Sequence, residues 1–328
     1  MLDIAVLGAG RIGRIHAGNI AAHPGARLAG IADPDTAAAT RLATALGVHP
    51  ISVTEAMRAD AVLIASPTPT HADYVEQAAA AGRAVFCEKP IDLSEQRVRR
   101  CLAAVRSAGI ILMTGFNRRF DPHFVALKQR LDAGEIGGLE LLTIISRDPS
   151  PPPLSYVATS GGLFRDMMIH DLDMARFLLG EEPVAVSAAA SCLVDPAIGA
   201  AGDVDTALVM LRTVSGRLCQ ISNSRRATYG YDQRIEAHGA AGLLQVGNVV
   251  ATTVRSATAS GFRSDPVLPF FLERYAAAYR AELDAFVQAV RGDGPARPDG
   301  EDGLRALLLA NAAVEAESTG RSVPPAEV

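Results

Sequence analysis

The chain has 328 residues, 49% of them hydrophobic and 20% charged, and carries a net charge of −5. That length allows about two domains of ~100–200 residues, with enough apolar content for a core that needs no disulfide staples. The acidic balance argues against a nucleic-acid partner, which requires a basic face, and no apolar run approaches the ~18 residues that span a bilayer.

Met1-Leu2-Asp3 leads straight into an apolar run without the charged n-region of a secretory leader, so a cytoplasmic location is the default expectation. Residues 4–7 read as a buried strand. Gly8-Ala9-Gly10-Arg11-Ile12-Gly13 follows at once and opens an Ala-rich helix. In a G-x-G-x-x-G loop the first glycine permits the tight turn. The second lets the backbone approach a pyrophosphate, and the third allows close helix–strand packing. The helix start, at Arg11 and Ile12, adds unpaired N–H groups for the phosphates. A second strand, 28–32, ends at Asp33, 20 residues after Gly13. An acid there can accept the ribose hydroxyls of NAD and would repel a 2'-phosphate, so NAD is expected over NADP. A bare turn residue before Pro34 is the alternative.

A helix is predicted over 36–46 and a third strand over 61–65. The loop Ser66-Pro67-Thr68-Pro69-Thr70-His71 then falls at the carboxyl edge of the sheet, where such folds bind ligands. Ser66, Thr68 and His71 are cofactor candidates there, unless His71 simply caps the helix predicted over 72–81. A fourth strand, 84–87, delivers Glu88-Lys89-Pro90 to the same edge. A lysine held there can donate to a substrate oxygen and favour the alkoxide character that develops as hydride leaves. Helix 95–108 and strand 110–113 complete a series of wholly apolar strands separated by helices. That is an N-terminal Rossmann domain, a doubly wound parallel sheet covered on both faces, over residues 1–120.

From 121 to 328 the pattern is α+β. Longer, often alternating strands are predicted at 139–146, 183–193, 205–213, 216–225, 233–238 and 243–246, giving an open, mostly antiparallel sheet. One helix is expected over 162–179, with Gly180 as its cap. Helices over 270–291 and 303–318 close the chain and can pack back on the first domain. Asp166 and His170 lie four apart, so they share a helical face, and Asp173 falls near it. An imidazole suits removal of a hydroxyl proton at neutral pH, and a carboxylate can tune it. An exposed ion pair gives the same spacing, and a metal held by Asp166, His170 and Asp173 is a further alternative. Cys87, Cys101, Cys192 and Cys219 form no metal-like spacing and read as reduced thiols.

Together the glycine loop, Glu88-Lys89-Pro90, and Gly161-Gly162 followed by Asp166 and His170 resemble the glucose–fructose oxidoreductase / inositol dehydrogenase (Gfo/Idh/MocA) family, over essentially the whole chain. The resemblance implies Lys89, Asp166 and His170 as the catalytic set, Glu88 and Lys89 beside the cofactor, NAD itself, and a homotetramer formed through the open sheet. Gly115-Phe116-Asn117-Arg118-Arg119-Phe120-Asp121-Pro122, Ser146-Arg147-Asp148-Pro149 and Tyr229-Gly230-Tyr231-Asp232-Gln233 resemble members that oxidise the axial hydroxyl of myo-inositol to 2-keto-myo-inositol (scyllo-inosose). Polyol contacts implied by that likeness are Lys89, Arg119, Asp148, Asp166, His170, Asp173 and Tyr231. Scyllo-inositol, a chiro-inositol or an aldopyranose as substrate, or a non-catalytic NAD-binding sensor on the same fold, are the competing expectations.

Overall fold

The computed structural model describes residues 1–327 as two compact units, one formed by Met1–Phe120 with Ala278–Leu307, the other by Asp121–Ala277 with the chain from Leu308 onward. The first unit opens with β1 (Leu2–Leu7), α1 (Arg11–Ala22), β2 (Ala26–Ala32), α2 (Thr36–Ala45), the short α3 (Val53–Ala56), β3 (Ala61–Ile64), α4 (His71–Ala80), β4 (Ala84–Glu88), α5 (Glu95–Ala108) and β5 (Leu112–Gly115). The strands are parallel in the order β2-β1-β3-β4-β5. A single parallel bridge from Ile31 to Pro50 continues the sheet beyond β2. The strand order reverses between β1 and β3, so the glycine loop and the Ser66 loop leave the sheet side by side. That is the switch point at which open α/β sheets bind ligands. β3 is buried along its whole length, as a strand covered on both faces must be.

The second unit contains α6 (Pro122–Asp132), β6 (Leu139–Arg147), α7 (Leu154–Ser160), α8 (Gly162–Asp166), α9 (Ile169–Leu179), β7 (Pro183–Ser191), α10 (Pro196–Ala200), β8 (Thr206–Thr213), β9 (Leu218–Ser224), β10 (Asp232–Gly239), β11 (Gly242–Val246) and the hairpin β12 (Arg255–Thr258) with β13 (Gly261–Ser264). α11 (Phe271–Arg274) precedes α12 (Ala276–Arg291), most of which belongs to the first unit. α13 (Gly300–Thr319) begins in the first unit and ends in the second. In the first unit Leu283, Phe286 and Val287 of α12 share one core with Ile4, Val6, Ile20, Ile31, Phe86 and Met113.

The large sheet of the second unit has the order β11-β10-β6-β9-β8-β7, antiparallel except for the parallel pair β6–β9. On β8, Ala207, Val209 and Leu211 are buried while Leu208, Met210 and Arg212 are exposed, so one face is covered and the other open. Among the described residues no helix is long and apolar enough to cross a membrane.

Several local expectations change. The helix expected over 162–179 is two helices, because the N–H groups of both Met167 and Met168 reach back to Leu163 O and the ladder slips by one residue. The helix expected over 270–291 is interrupted at Tyr275. The fifth strand starts two residues late, at Leu112. A helix not expected at all, α6, has a local signature: the Asp121 carboxylate accepts the His123 and Phe124 N–H groups, and Pro122 occupies the first turn.

Candidate active site

The glycines of the loop after β1 divide by what surrounds them. Gly8 has φ +113, and a Cβ on it would lie 2.5 Å from Ala65 O at the end of β3. A Cβ on Gly13 would lie 2.0 Å from Gly8 O. Both are required by the chain's own packing. Gly10 differs: it is exposed, and a Cβ on it would meet nothing within 4 Å. It caps α1 without a side-chain hydrogen bond, and Arg11 and Ile12 open the helix. Open space beside the first N–H groups of a helix is a cradle for a phosphate. The residues present fit a dinucleotide pyrophosphate.

Asp33 holds the same loop. Its Oδ2 accepts the Ala9 N–H at 2.7 Å, and its Oδ1 accepts the Asp35 N–H at 2.8 Å. A half-buried carboxylate fixed at the end of β2 is placed as a ribose acceptor requires. In the next loop Ser66 Oγ lies 2.7 Å from Thr70 Oγ1, and Thr68 begins a 3-10 turn. His71 is 2% exposed, with Nε2 2.7 Å from Ser66 O and Nδ1 2.8 Å from Pro90 O. Burial pushes its imidazole pKa down, against the two carbonyls that favour the charged ring. His71 therefore ties the Ser66 loop to the turn after β4.

That turn carries Glu88, Lys89 and Pro90, with the Lys89–Pro90 bond cis. Lys89 is half-buried. Glu88 turns its carboxylate inward to His16 of α1, Oε1 to Nε2 2.7 Å. Arg119, in the same unit, donates from Nη2 to Asp302 Oδ1 at 3.1 Å, a carboxylate partner that sequence order does not suggest.

In the second unit Asp166 ends α8 and His170 sits in the first turn of α9, both half-buried. Gly161 and Gly162 have φ +87 and +82, and a Cβ on Gly162 would lie 2.7 Å from Asp203 Oδ1. The glycine pair thus lets Asp203 reach the start of α8, where it accepts the Leu163 N–H at 3.0 Å. Buried Arg225 spans Asp203 and Asp166, with Nη2 3.3 Å from Asp203 Oδ2 and Nη1 3.9 Å from Asp166 Oδ2. Tyr156 of α7 donates its phenol to Asp166 Oδ1 at 2.8 Å, and burial, then the Asp166 charge, hold that phenol well above its ordinary pKa. Neither Tyr156 nor Arg225 stood out in the sequence, since their approach to Asp166 is tertiary.

Asp171, next to His170, is fully buried. It accepts Ser146 Oγ at 2.5 Å and Asn223 Nδ2 at 2.9 Å, which pins the start of α9 to β6 and β9. Asp173 is also buried and lies 3.5 Å from Arg176 Nη1. Asp148 is half-buried, and its N–H donates to Ser224 O. Tyr231 is 6% exposed, its ring edge-on to Phe270 and Tyr275. Among the described residues, the metal-like grouping with ligand atoms within 4.8 Å of one another is not Asp166, His170 and Asp173 but His16, Glu88 and Glu282.

Known proteins share this architecture. Residues 2–116 match the oxidoreductase family with an NAD-binding Rossmann fold, and residues 124–245 match the GFO/IDH/MocA C-terminal domain. The chain is 52% identical to inositol 2-dehydrogenase of Rhizobium meliloti (strain 1021), over 97% of each chain. It superposes on the crystal structure of a myo-inositol dehydrogenase from Corynebacterium glutamicum ATCC 13032 with TM-score 0.95 and 47% identity, over 100% of both chains. A scyllo-inositol dehydrogenase from Lactobacillus casei, solved with NAD(H) and scyllo-inositol bound, gives TM-score 0.93 at 31% identity over 100% of both chains.

Proposed function

Because this chain belongs to the GFO/IDH/MocA family of NAD-binding oxidoreductases, we propose that it oxidises the axial hydroxyl of myo-inositol to 2-keto-myo-inositol. The observation that carries the reading is the 52% identity to an inositol 2-dehydrogenase along 97% of both chains, in a chain that carries Lys89, Asp166 and His170.

NAD, when bound, accepts the hydride from the carbinol carbon. The protein supplies the rest. His170 takes the hydroxyl proton, so hydride and proton leave together as the ketone forms. Asp166, anchored by Tyr156 and Arg225, orients the imidazole. Lys89 donates to the reacting oxygen and stabilises its developing negative charge. Gly8, Gly10, Arg11, Ile12, Gly13, Asp33, Ser66, Thr68, His71, Glu88 and Lys89 form the cofactor side. To recognition of the polyol we assign Arg119, Asp148, Asp173 and Tyr231 together with the catalytic set.

The decisive experiment compares initial rates of cofactor reduction over myo-, scyllo- and chiro-inositol and glucose, with NAD and NADP side by side. Fastest turnover on myo-inositol with NAD is expected. Fastest turnover on scyllo-inositol would favour the second reading, which the scyllo-inositol complex of the Lactobacillus casei structure supports. No turnover of any polyol, with tight NADH binding, would instead point to a sensor.

The setting we propose is cytoplasmic inositol catabolism, by a homotetramer. On the open sheet face Leu243, Leu141 and Leu218 lie in one cross-strand row, with His238 between the first two. Leu208 and Met210 of β8, about half exposed, lie on the same open face. A second copy is the cover such a patch calls for. Light scattering of the purified protein tests this, with a monomer as the refuting result.

A further inference from the structure

Two buried histidines of the first unit flank the turn that carries Lys89. His16 is fully buried on α1, between the rings of Phe86 at 5.2 Å and Tyr279 at 5.6 Å. Its Nε2 bonds the Glu88 carboxylate at 2.7 Å. Phe86 and Glu88 are two apart on β4, so they leave the sheet on one face, and that face meets His16. Glu282 of α12 completes the pocket: it is fully buried, 4.0 Å from His16 Nε2, and neither of its oxygens has a hydrogen-bond partner among the described residues. On the other side Gly115 leaves no room for a side chain, since a Cβ there would lie 2.9 Å from Glu88 Oε2. His71 holds the far end of the same turn through Pro90 O.

We propose that His16, backed by Glu282, and His71 are positioning residues that grip the Glu88-Lys89-Pro90 turn at its two ends and so fix the base of the Lys89 side chain. The inference rests on the assignment of Lys89 as a catalytic residue.

Three physical arguments support it. First, a buried imidazole–carboxylate pair in an aromatic box is poor design for stability alone, because apolar residues of similar volume often do as well or better. What such a pair supplies is one fixed geometry. Second, Glu282 does not compete for His16. Its burial, then the Glu88 charge, raise its carboxyl pKa well above the usual range, which disfavours a second charged carboxylate beside the imidazole. Third, the 2.7 Å contact has hydrogen-bond length. Two ligands about 2.0–2.1 Å from a tetrahedral zinc would stand roughly 3.3 Å apart, so the His16–Glu88 contact has the geometry of a hydrogen bond. Lysine side chains are long and flexible, and a misplacement of about 1 Å at a reacting centre can cost on the order of 100-fold in rate.

The test combines steady-state kinetics, NADH titration and a double-mutant cycle with Lys89→Met. His16→Leu should lower kcat about 10- to 100-fold and leave the NADH Kd within about three-fold. His16→Gln, which keeps an N–H for Glu88, should restore most of the loss. In the Lys89→Met background His16→Leu should add nothing further. His71→Leu, on a different helix, should show the same loss of kcat and the same lack of further effect in the Lys89→Met background, so either variant can decide if the other does not fold. Full kcat with a lowered melting temperature in both histidine variants would reduce the clamp to a structural pair and overturn the proposal. Losses that multiply with Lys89→Met would do the same, as would a stoichiometric divalent ion in the purified protein that His16→Leu releases. Near-parent kcat in Lys89→Met alone would remove the premise, which separates failure of the Lys89 assignment from failure of the clamp.

Discussion

Alanine at Gly10 and alanine at Gly13 should have opposite consequences. At Gly10 the backbone is ordinary, with φ −71, and the added methyl would meet nothing within 4 Å. Folding should barely notice. The lost flexibility of the unfolded chain gains ~0.4–1 kcal/mol, and the poorer helix cap gives back a similar amount. At Gly13 the methyl would lie 2.0 Å from Gly8 O and 2.8 Å from Gly8 C. Both are backbone atoms, so the loop or α1 must shift, at a cost of ~1–3 kcal/mol. With ~2–4 °C per kcal/mol for a domain of this size, the cofactor-free Gly13→Ala protein should melt about 2–12 °C lower. The Gly10→Ala protein should melt within about 2 °C of the parent. Its defect should appear on NAD binding, because the methyl occupies the space a phosphate must enter. Losing one charge-assisted backbone hydrogen bond costs ~1.5–3 kcal/mol, or about ten- to a hundred-fold in Kd. Thermal melts without cofactor and calorimetric NAD titration measure the two effects separately. Parent-like NAD affinity in Gly10→Ala, or a melting loss equal to that of Gly13→Ala, would refute the division of labour within the loop.

Glu282 makes folding pH-dependent. Burial, then the Glu88 charge, raise its carboxyl pKa, so the folded protein keeps a proton that the unfolded chain releases above pH ~4.5. Stability should therefore fall by up to about 1.4 kcal/mol per pH unit from there until the folded group ionises. Glu282→Gln should remove that slope and be the more stable protein at pH 7–8 in urea unfolding; parallel curves would contradict this. Asp232 behaves in the opposite sense. Burial raises its pKa, but hydrogen bonds from Arg234, Tyr229 and Asn248 outweigh this and bring it from 3.8 to about 2. It contributes about 2 kcal/mol above pH ~4, lost as pH falls toward 2, so Asp232→Asn should flatten that acid limb, and an unchanged limb would rule the network out as its source. Asp33→Ala removes both the ribose acceptor and the bond to Ala9 N–H; the NAD KM should rise at least ten-fold while the NADP KM changes less, and equal changes for both cofactors would refute its discriminating role.

Much of the fold was legible because its signals are local. Strands apolar on every residue, glycines at fixed offsets after β1, and an acid ending β2 each follow from a few neighbouring residues, and helix α5 lies at the bounds the pattern predicts. The broken helix at Met167–Met168 was not legible, since a one-residue slip in the hydrogen-bond ladder leaves the apolar periodicity almost unchanged. The parallel pair β6–β9 was hidden for a related reason: alternation shows which face a strand buries but not the direction of its neighbour.

The candidate site divides the same way. Sequence by itself determined the candidate set: Gly8, Gly10, Gly13, Asp33 and Lys89 after the ends of strands, and Asp166 with His170 at helical spacing. Only the tertiary structure decided what holds those groups. No motif in the sequence marks His16 or Glu282, yet their imidazole and carboxyl groups meet at Glu88. Tyr156 and Arg225 reach Asp166 from α7 and the segment after β9, and Asp171 binds Ser146 of β6 and Asn223 of β9. Such contacts join residues far apart in the chain, and their energies depend on burial. A sequence names the charged groups; folding decides which lose their water and must find one another.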